Sequence, residues 1–341
     1  MASSYFPAQE KVSPNYTEPG LIRTYAQPSG AFEACLPGGA LAVRIGDDDL
    51  FVYVNSYDIR TNAQAAQSAG NFLPSMSLRA SFDKTATYLL RNRCVYNHHD
   101  VSAAAHYALG LPEELETTQR QGIYMMERDM LLYGMNPDNN EGLLNASGAT
   151  AVTLPPDSYN NKTLSTYDPG QLAIFFLNQI VALQTGMWQG GQRLKVRLLG
   201  PQRILLAMAE SGVVQLTSFQ RDGAGSQTVS GMIQTIAERN SMGFEWYYDD
   251  TLIGKGAGGA DMVIMTAPEI EPPKIEGLDI APFNEGKPSL NAINTMYTAF
   301  AAPIKIPTPI PDGGITVVLE TRSTSGWNWR PQGLYLISIT P

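Results

Sequence analysis

The residues best equipped for chemistry fall into a few clusters. His98 and His99 are adjacent and His106 lies two helical turns beyond His99; imidazoles so spaced could begin a zinc site, which takes three or four ligands. Cys94 or Asp100 would have to complete it, across a predicted switch from strand to helix, so solvated or hydrogen-bonded histidines are the better reading. Glu127 and Asp129 could act as general acid and base, but carboxylates two apart on a helix project to different faces. One polar contact to a sheet or a neighbour, with the other carboxylate solvated, is expected instead. Gly254-Lys255-Gly256-Ala257-Gly258-Gly259 has the glycines of a phosphate loop. A Walker loop, however, continues into Lys-Ser/Thr and a helix, whereas Ala260-Asp261 and a predicted strand follow here. Asp47-Asp48-Asp49 lacks the closing Glu of an EF-hand and reads as a solvated turn. No G-x-S-x-G nucleophile elbow occurs. The expectation is a protein that is not an enzyme, with no catalytic, cofactor-binding or metal-binding residues.

The element that organises the chain is residues 112–145, PEELETTQRQGIYMMERDMLLYGMNPDNNEGLLN. Pro112 suits a first helical turn, and Glu113, Glu114 and Glu116 complement the positive end of the helix dipole. Ile123, Met126, Met130 and Tyr133 recur as one apolar stripe of helical period. Gly134 predicts the helix end, and Pro137-Asp138-Asn139-Asn140 a turn.

The other elements follow in order. Residues 1–40, with Pro7, Pro14, Pro19, Pro28 and Pro37, predict an extended arm whose aromatics (Tyr5, Phe6, Tyr16, Tyr25, Phe32) suit docking on neighbours. Strands are expected over 41–45 and 50–57, around the turn at 46–49, and a small helical piece over 61–69. Residues 73–80 and 85–96 alternate like two hairpin strands around Ser81-Phe82-Asp83-Lys84. Asp100 would cap a helix over 101–109. Beyond 145 come a strand (149–154), a polar loop (155–166) and an apolar helix (170–184). In that helix Leu172, Phe175, Phe176, Ile180, Val181 and Leu183 cover more than one face, which predicts burial on several sides. A strand at 193–199 leads through Gly200-Pro201 into a helix at 202–211. Ser226 would cap a helix to 239, strands are expected at 244–248 and 261–266, and 268–288 is loop-like. The chain closes with strands at 315–321 and 333–339, separated by a turn at 323–326 and by Trp327-Asn328-Trp329-Arg330-Pro331.

At 341 residues the chain has ample length for a core and for about two domains. Charged residues are 16%, below the usual quarter, so a large protein–protein interface is one place for the excess neutral surface. The net charge of −9 argues against a dedicated nucleic-acid binder, which would show a basic stripe. Cys35 and Cys94 lack any motif spacing and read as reduced thiols in a cytosolic setting. No secretory signal or membrane span is read from the sequence, so a soluble protein is expected.

Residues 112–145 resemble the spine helix of the major capsid proteins of tailed bacteriophages, the Hong Kong 97 type of fold. The resemblance is carried by Glu127 and Asp129, then Leu132-Tyr133-Gly134, then Glu141-Gly142-Leu143-Leu144-Asn145, and it extends through the order of elements to the terminal strands. Encapsulin shell proteins share the pattern. The resemblance implies an α+β fold. Its parts would be an N-terminal arm (1–40), strands and an E-loop hairpin (41–99), a P-domain with the spine helix on a β-sheet (100–165), an A-domain (166–295), and strands returning to the P-domain sheet (296–341). It further implies self-assembly as hexamers and pentamers into an icosahedral shell that encloses double-stranded DNA without reading its sequence, in a virion assembled in the host cytoplasm. Portal, scaffolding and cement proteins would be its partners, and the glycine loop at 254–259 would lie near a capsomer axis. Lys84, the only lysine of the predicted hairpin, is the sole candidate for the Lys–Asn cross-link some members make, and no Asn or Glu partner can be matched to it. An encapsulin shell, or a soluble α+β enzyme or binding protein, are the alternatives.

Overall fold

The computed structural model describes residues 29–39, 43–60, 77–105, 110–187, 194–213, 227–239, 243–269, 293–299, 302–311 and 313–341. The expected helical piece at 61–69, His106, the Ser226 cap, and most of the arm and of the 268–288 loop lie outside these residues.

In chain order the elements are α1 (Ala31–Cys35), β1 (Val43–Arg44), β2 (Phe51–Arg60), β3 (Ser77–Asn97), α2 (His98–Ala105), α3 (Leu111–Leu132), β4 (Thr150–Thr153) and α4 (Pro169–Met187). There follow β5 (Lys195–Gly200), α5 (Gln202–Glu210), β6 (Gly212–Val213), β7 (Gln227–Thr228), α6 (Val229–Arg239), β8 (Gly243–Tyr248) and β9 (Asp261–Thr266). The last are β10 (Thr295–Met296), β11 (Thr298–Ala299), β12 (Ile304–Ile310), β13 (Gly314–Thr324), β14 (Trp327–Asn328) and β15 (Leu334–Ile339).

Two sheets dominate. One runs β1-β11-β13-β3-β2, with β12 also on β13, and carries α3. The other, β4-β15-β9-β5-β8, mixes parallel and antiparallel pairs. Its core on one side gathers Leu172, Phe176, Ile180 and Leu183 of α4 with Ile204 of α5 and Ile233 of α6. On the other side α1, Leu131 and Leu132 of α3, and Leu143 pack with Leu199, Ile264 and Leu336. This second core joins the two sheets, with the C-terminal end of α3 at the junction.

The 22 residues of α3 make a rod of about 33 Å. Its contact with the sheet is made by buried Gln119, Ile123 and Met130, against Leu90 and Leu319. Gln119 Nε2 donates to the carbonyls of Val317 (3.0 Å) and Asn92 (3.3 Å), tying the helix to β13 and β3. Met126, expected in the buried stripe, is exposed, and Tyr133 is half-buried. Gln119, Ile123 and Met130 share the face turned to the sheet, with Met126 at its edge, while Leu131 and Leu132 are buried because the end of the helix enters the second core.

The predicted hairpin turn at 81–84 is overturned. Residues 77–97 form one 21-residue strand, and the hairpin partner is β2. Tyr53 faces Lys84 and Asn55 faces Phe82 across the ladder. Ser81-Phe82-Asp83-Lys84 imitates a turn in composition alone: its Phe82 and Lys84 pair with Asn55 and Tyr53 in mid-strand.

Other expectations shift. The strand expected at 333–339 in the sheet that carries α3 is β15, an inner strand of the second sheet between β4 and β9, where its Leu334 and Leu336 still pack with the end of α3. Ser323 and Thr324, expected in a turn, still belong to β13. Helix α2 starts at His98, before Asp100, whose carboxylate reaches back to accept the Asn97 N–H at 3.1 Å, the returning half of a capping box. Helix α6 starts at Val229, where Thr228 Oγ1 accepts the Gly231 N–H at 3.2 Å. Helix α4 buries one face only: Val181, expected inside, is exposed.

Candidate assembly surfaces

The stretch after α3 shows why its sequence reads Tyr-Gly … Glu-Gly-Leu-Leu-Asn. Gly134 (φ 70°) and Gly142 (φ 85°) cross main chain to main chain, and a Cβ added to either would strike the backbone of the other crossing segment. Glu141 is buried. Its carboxylate accepts from the Tyr88 hydroxyl (2.9 and 2.8 Å), the Asn136 N–H (3.1 Å) and the Ser325 hydroxyl (3.0 Å). Burial, reinforced by the bond to Glu141, pushes the Tyr88 hydroxyl up to about 12. Asn145 Nδ2 donates to the carbonyls of Tyr133 (2.6 Å) and Glu141 (3.0 Å), capping the helix and closing the loop, while Leu143 fills the core. The Gly142 N–H bonds Gly326 O and the Gly326 N–H bonds Met130 O, so the chain beyond β13 is locked to the same module.

From this fixed base the β2–β3 hairpin carries apolar rings on one face. Phe51 and Tyr53 lie 6.4 Å apart between ring centroids and Tyr53 and Phe82 6.0 Å, with Phe82 65% exposed. The Lys84 ammonium sits 3.7 Å from the Phe51 centroid, a cation–π contact. Beneath it opens a cavity of about 540 Å³, walled by Asp83, Thr85, Trp327 and the turn from Asp138 to Glu141.

Two arginines fix the second sheet. Buried Arg197 bonds Glu245 (3.0 Å) and the carbonyls of Glu33 and Leu36 (2.9 and 2.8 Å), clamping α1 to β5 and β8. Arg203 grips Asp261 through Nε (2.7 Å) and Nη2 (2.6 Å). Burial opposes ionisation of Asp261, but Arg203 and the Gly254 N–H outweigh it and hold the carboxyl below its usual value.

The glycine loop at 254–259 is pinned by the same contacts. The Gly256 N–H bonds Ala260 O (2.7 Å), the Ala257 N–H bonds Ser338 Oγ (2.9 Å), and the Gly254 N–H bonds Asp261 Oδ1 (3.0 Å). With the Gly254, Lys255, Gly256, Ala257 and Gly259 amides committed to the protein, the loop does not form a phosphate cradle.

The remaining candidates are not brought together. His98 and His99 stack at 3.8 Å on the exposed start of α2, and among the described residues no group of three His, Cys, Asp or Glu could hold a metal. The turn at 46–49 is closed by the Gly46 N–H on Asp49 Oδ2 (2.6 Å). Cys35 and Cys94 are free; burial pushes the Cys35 thiol up to about 12 and also raises that of Cys94. Asp129 pairs with Arg128 at 2.9 Å, and Glu127 lies half-buried, its carboxyl pushed up to about 7 by burial. Sequence reasoning gave no separate role to Glu141, Arg197 or Arg203. A lone acid between two glycine-containing turns was the one available signal for Glu141. No helix among the described residues is long and apolar enough to cross a membrane.

Comparison with solved structures matches the whole architecture. The capsid of Myoviridae phage XM1 superposes with a TM-score of 0.68 at 8% identity, over 95% of this chain and 96% of that one. A capsid chain of a native GTA particle gives 0.58 at 10% identity, and a chain of Mycobacterium phage Adephagia gives 0.59 at 10%, each over 100% of both chains. No protein-family model and no curated protein matches the sequence. The chain therefore has the α+β Hong Kong 97-type fold of tailed-phage capsid proteins.

Proposed function

We propose that this chain is a major capsid protein, a structural subunit that assembles with copies of itself as hexamers and pentamers into the icosahedral head of a tailed phage. The observation that carries this reading is the end-to-end match of the fold to capsid chains, with nearly all of each chain paired. The exposed apolar residues of the β2–β3 hairpin and of α3 (Phe51, Tyr53, Phe82, Tyr124, Met125 and Met126) give it surface suited to contacts between copies. In this reading residues 1–40 form the arm, 41–99 hold the E-loop, 100–165 the P-domain and 166–295 the A-domain, and within 296–341 the strands up to Thr324 return to the P-domain sheet while the last, β15, joins the second sheet. The subunit is structural and not an enzyme. Its acidic balance suits a container wall that does not trap DNA through phosphate contacts. Its partners are portal, scaffolding and cement proteins, and assembly takes place in the host cytoplasm.

The test is size-exclusion chromatography with light scattering on the purified protein, alone and with a scaffolding protein. Hexamers, pentamers or closed particles support the reading. A monomer of 37.1 kDa that persists at high concentration under both conditions overturns it.

A further inference from the structure

Helix α4, PGQLAIFFLNQIVALQTGM, contains no Asp, Glu, Lys or Arg. Every other α-helix among the described residues carries at least one. Its inner face is buried in the core of the second sheet. Its outer face is open to solvent, and there Ile174 and Val181 are each 54% exposed, with Asn178 and Thr185 exposed between and beyond them. Residues 174, 178, 181 and 185 follow the alternating four-and-three spacing of a helix-packing seam. The Thr185 hydroxyl is spent inside the helix, donating to the Val181 carbonyl at 2.8 Å. At the head of the seam Gln171 exchanges two hydrogen bonds with Ser158 (2.7 and 3.0 Å), which holds the neighbouring, 79% exposed Tyr159 beside the first turn. Ala182 and Gly186 flank the seam and are exposed as well, leaving room for close approach.

We propose that this outward face of α4 packs against a second copy of the same chain within the shell; the inference rests on the capsid reading above. Charge selects the occupant. A subunit of net charge −9 repels its own copies, and that repulsion is least where the touching surfaces carry no charge and no ion must be desolvated. Nucleic acid and anionic lipid surfaces require Lys or Arg, and this helix has none. A basic partner would favour the acidic surfaces instead. A few side chains on one helix fall short of the roughly 800 Å² per partner of a stable dimer, so the face acts as one of several contacts in a closed ring.

The test uses the full chain with Ile174→Glu and Val181→Glu together, Val181→Leu as the conservative control, and a photo-reactive side chain at position 181. Both substituted positions are exposed, so thermal unfolding of the unassembled subunit is expected to match the unaltered chain. Assembly of the double Glu variant is expected to need roughly ten-fold more protein or to fail, while Val181→Leu assembles normally. Illumination of assembled particles is expected to join position 181 to a peptide of a second copy. Normal assembly of the double Glu variant, or cross-linking only to a different protein, overturns the inference and leaves the capsid reading standing. Should the unaltered chain itself never assemble, the capsid reading falls and the inference with it. Should the double variant fail to fold, the cross-link alone decides.

Discussion

Glu127 offers a prediction whose sign and size both follow from its surroundings. The carboxyl is half-buried on α3 and pushed from 4.5 to about 7 by burial. No cation offsets the burial, and the Glu127 charge in turn helps to raise the neutral hydroxyls of Tyr124 and buried Tyr297. Because the folded-state pKa is raised, the unfolded chain ionises first. Both forms are protonated below about 4.5, stability falls as pH rises from there towards 7, and the loss is complete above 7. At about 1.4 kcal/mol per pH unit the loss has a ceiling of about 3 kcal/mol, which solvent access to a half-buried group lowers to about 1–2 kcal/mol. Glu127→Gln keeps the shape and removes the ionisation. Urea unfolding of the unassembled variant between pH 5.5 and 8.5, against the unaltered chain, is expected to show an advantage for Gln that grows with pH and levels off above 7. A difference that does not change with pH, or that favours Gln most at the acid end, would refute the assignment of Glu127 as a buried carboxyl without a cation.

Further outcomes follow from the module after α3 and from the second sheet. Gly142→Ala, at φ 85° and with its Cβ against the Tyr133–Gly134 main chain, is expected to lower stability by about 3 kcal/mol or more or to abolish soluble expression, read by thermal unfolding. Asn145→Asp, nearly isosteric but unable to donate to the Tyr133 and Glu141 carbonyls, is expected to cost about 2 kcal/mol in the same assay. Arg203→Met leaves Asp261, 0% exposed, without its cation; a loss of about 3 kcal/mol is expected at pH 7, shrinking at acid pH as Asp261 takes up a proton. Thiol labelling at pH 8 is expected to modify Cys94 ahead of Cys35, which reacts only on unfolding.

The long elements were legible because their periods were long enough to read. Helix α3, bounded by Pro112 and Gly134, and the step from β5 through Gly200-Pro201 into α5 stand close to where the pattern put them. The hairpin was misread because Ser81-Phe82-Asp83-Lys84 has the composition of a turn, and only the pairing of β3 with β2, many residues earlier, shows it to be mid-strand. The sheet of β15 could not be read locally, since an apolar strand suits either sheet and its partners β4 and β9 are distant in the chain. Met126 and Val181 look like core residues by type, yet in the single subunit both face solvent. Glu141 was visible only as a letter in a motif; its role depends on Tyr88 and Ser325 arriving from other strands.

The most direct test of the account is electron cryomicroscopy of the assembled protein. Closed icosahedral particles, with hexamers and pentamers of this chain and with α3 and the β2–β3 hairpin at contacts between copies, are the predicted result. Discrete monomers, or particles in which this chain occupies no position in the shell, would contradict it.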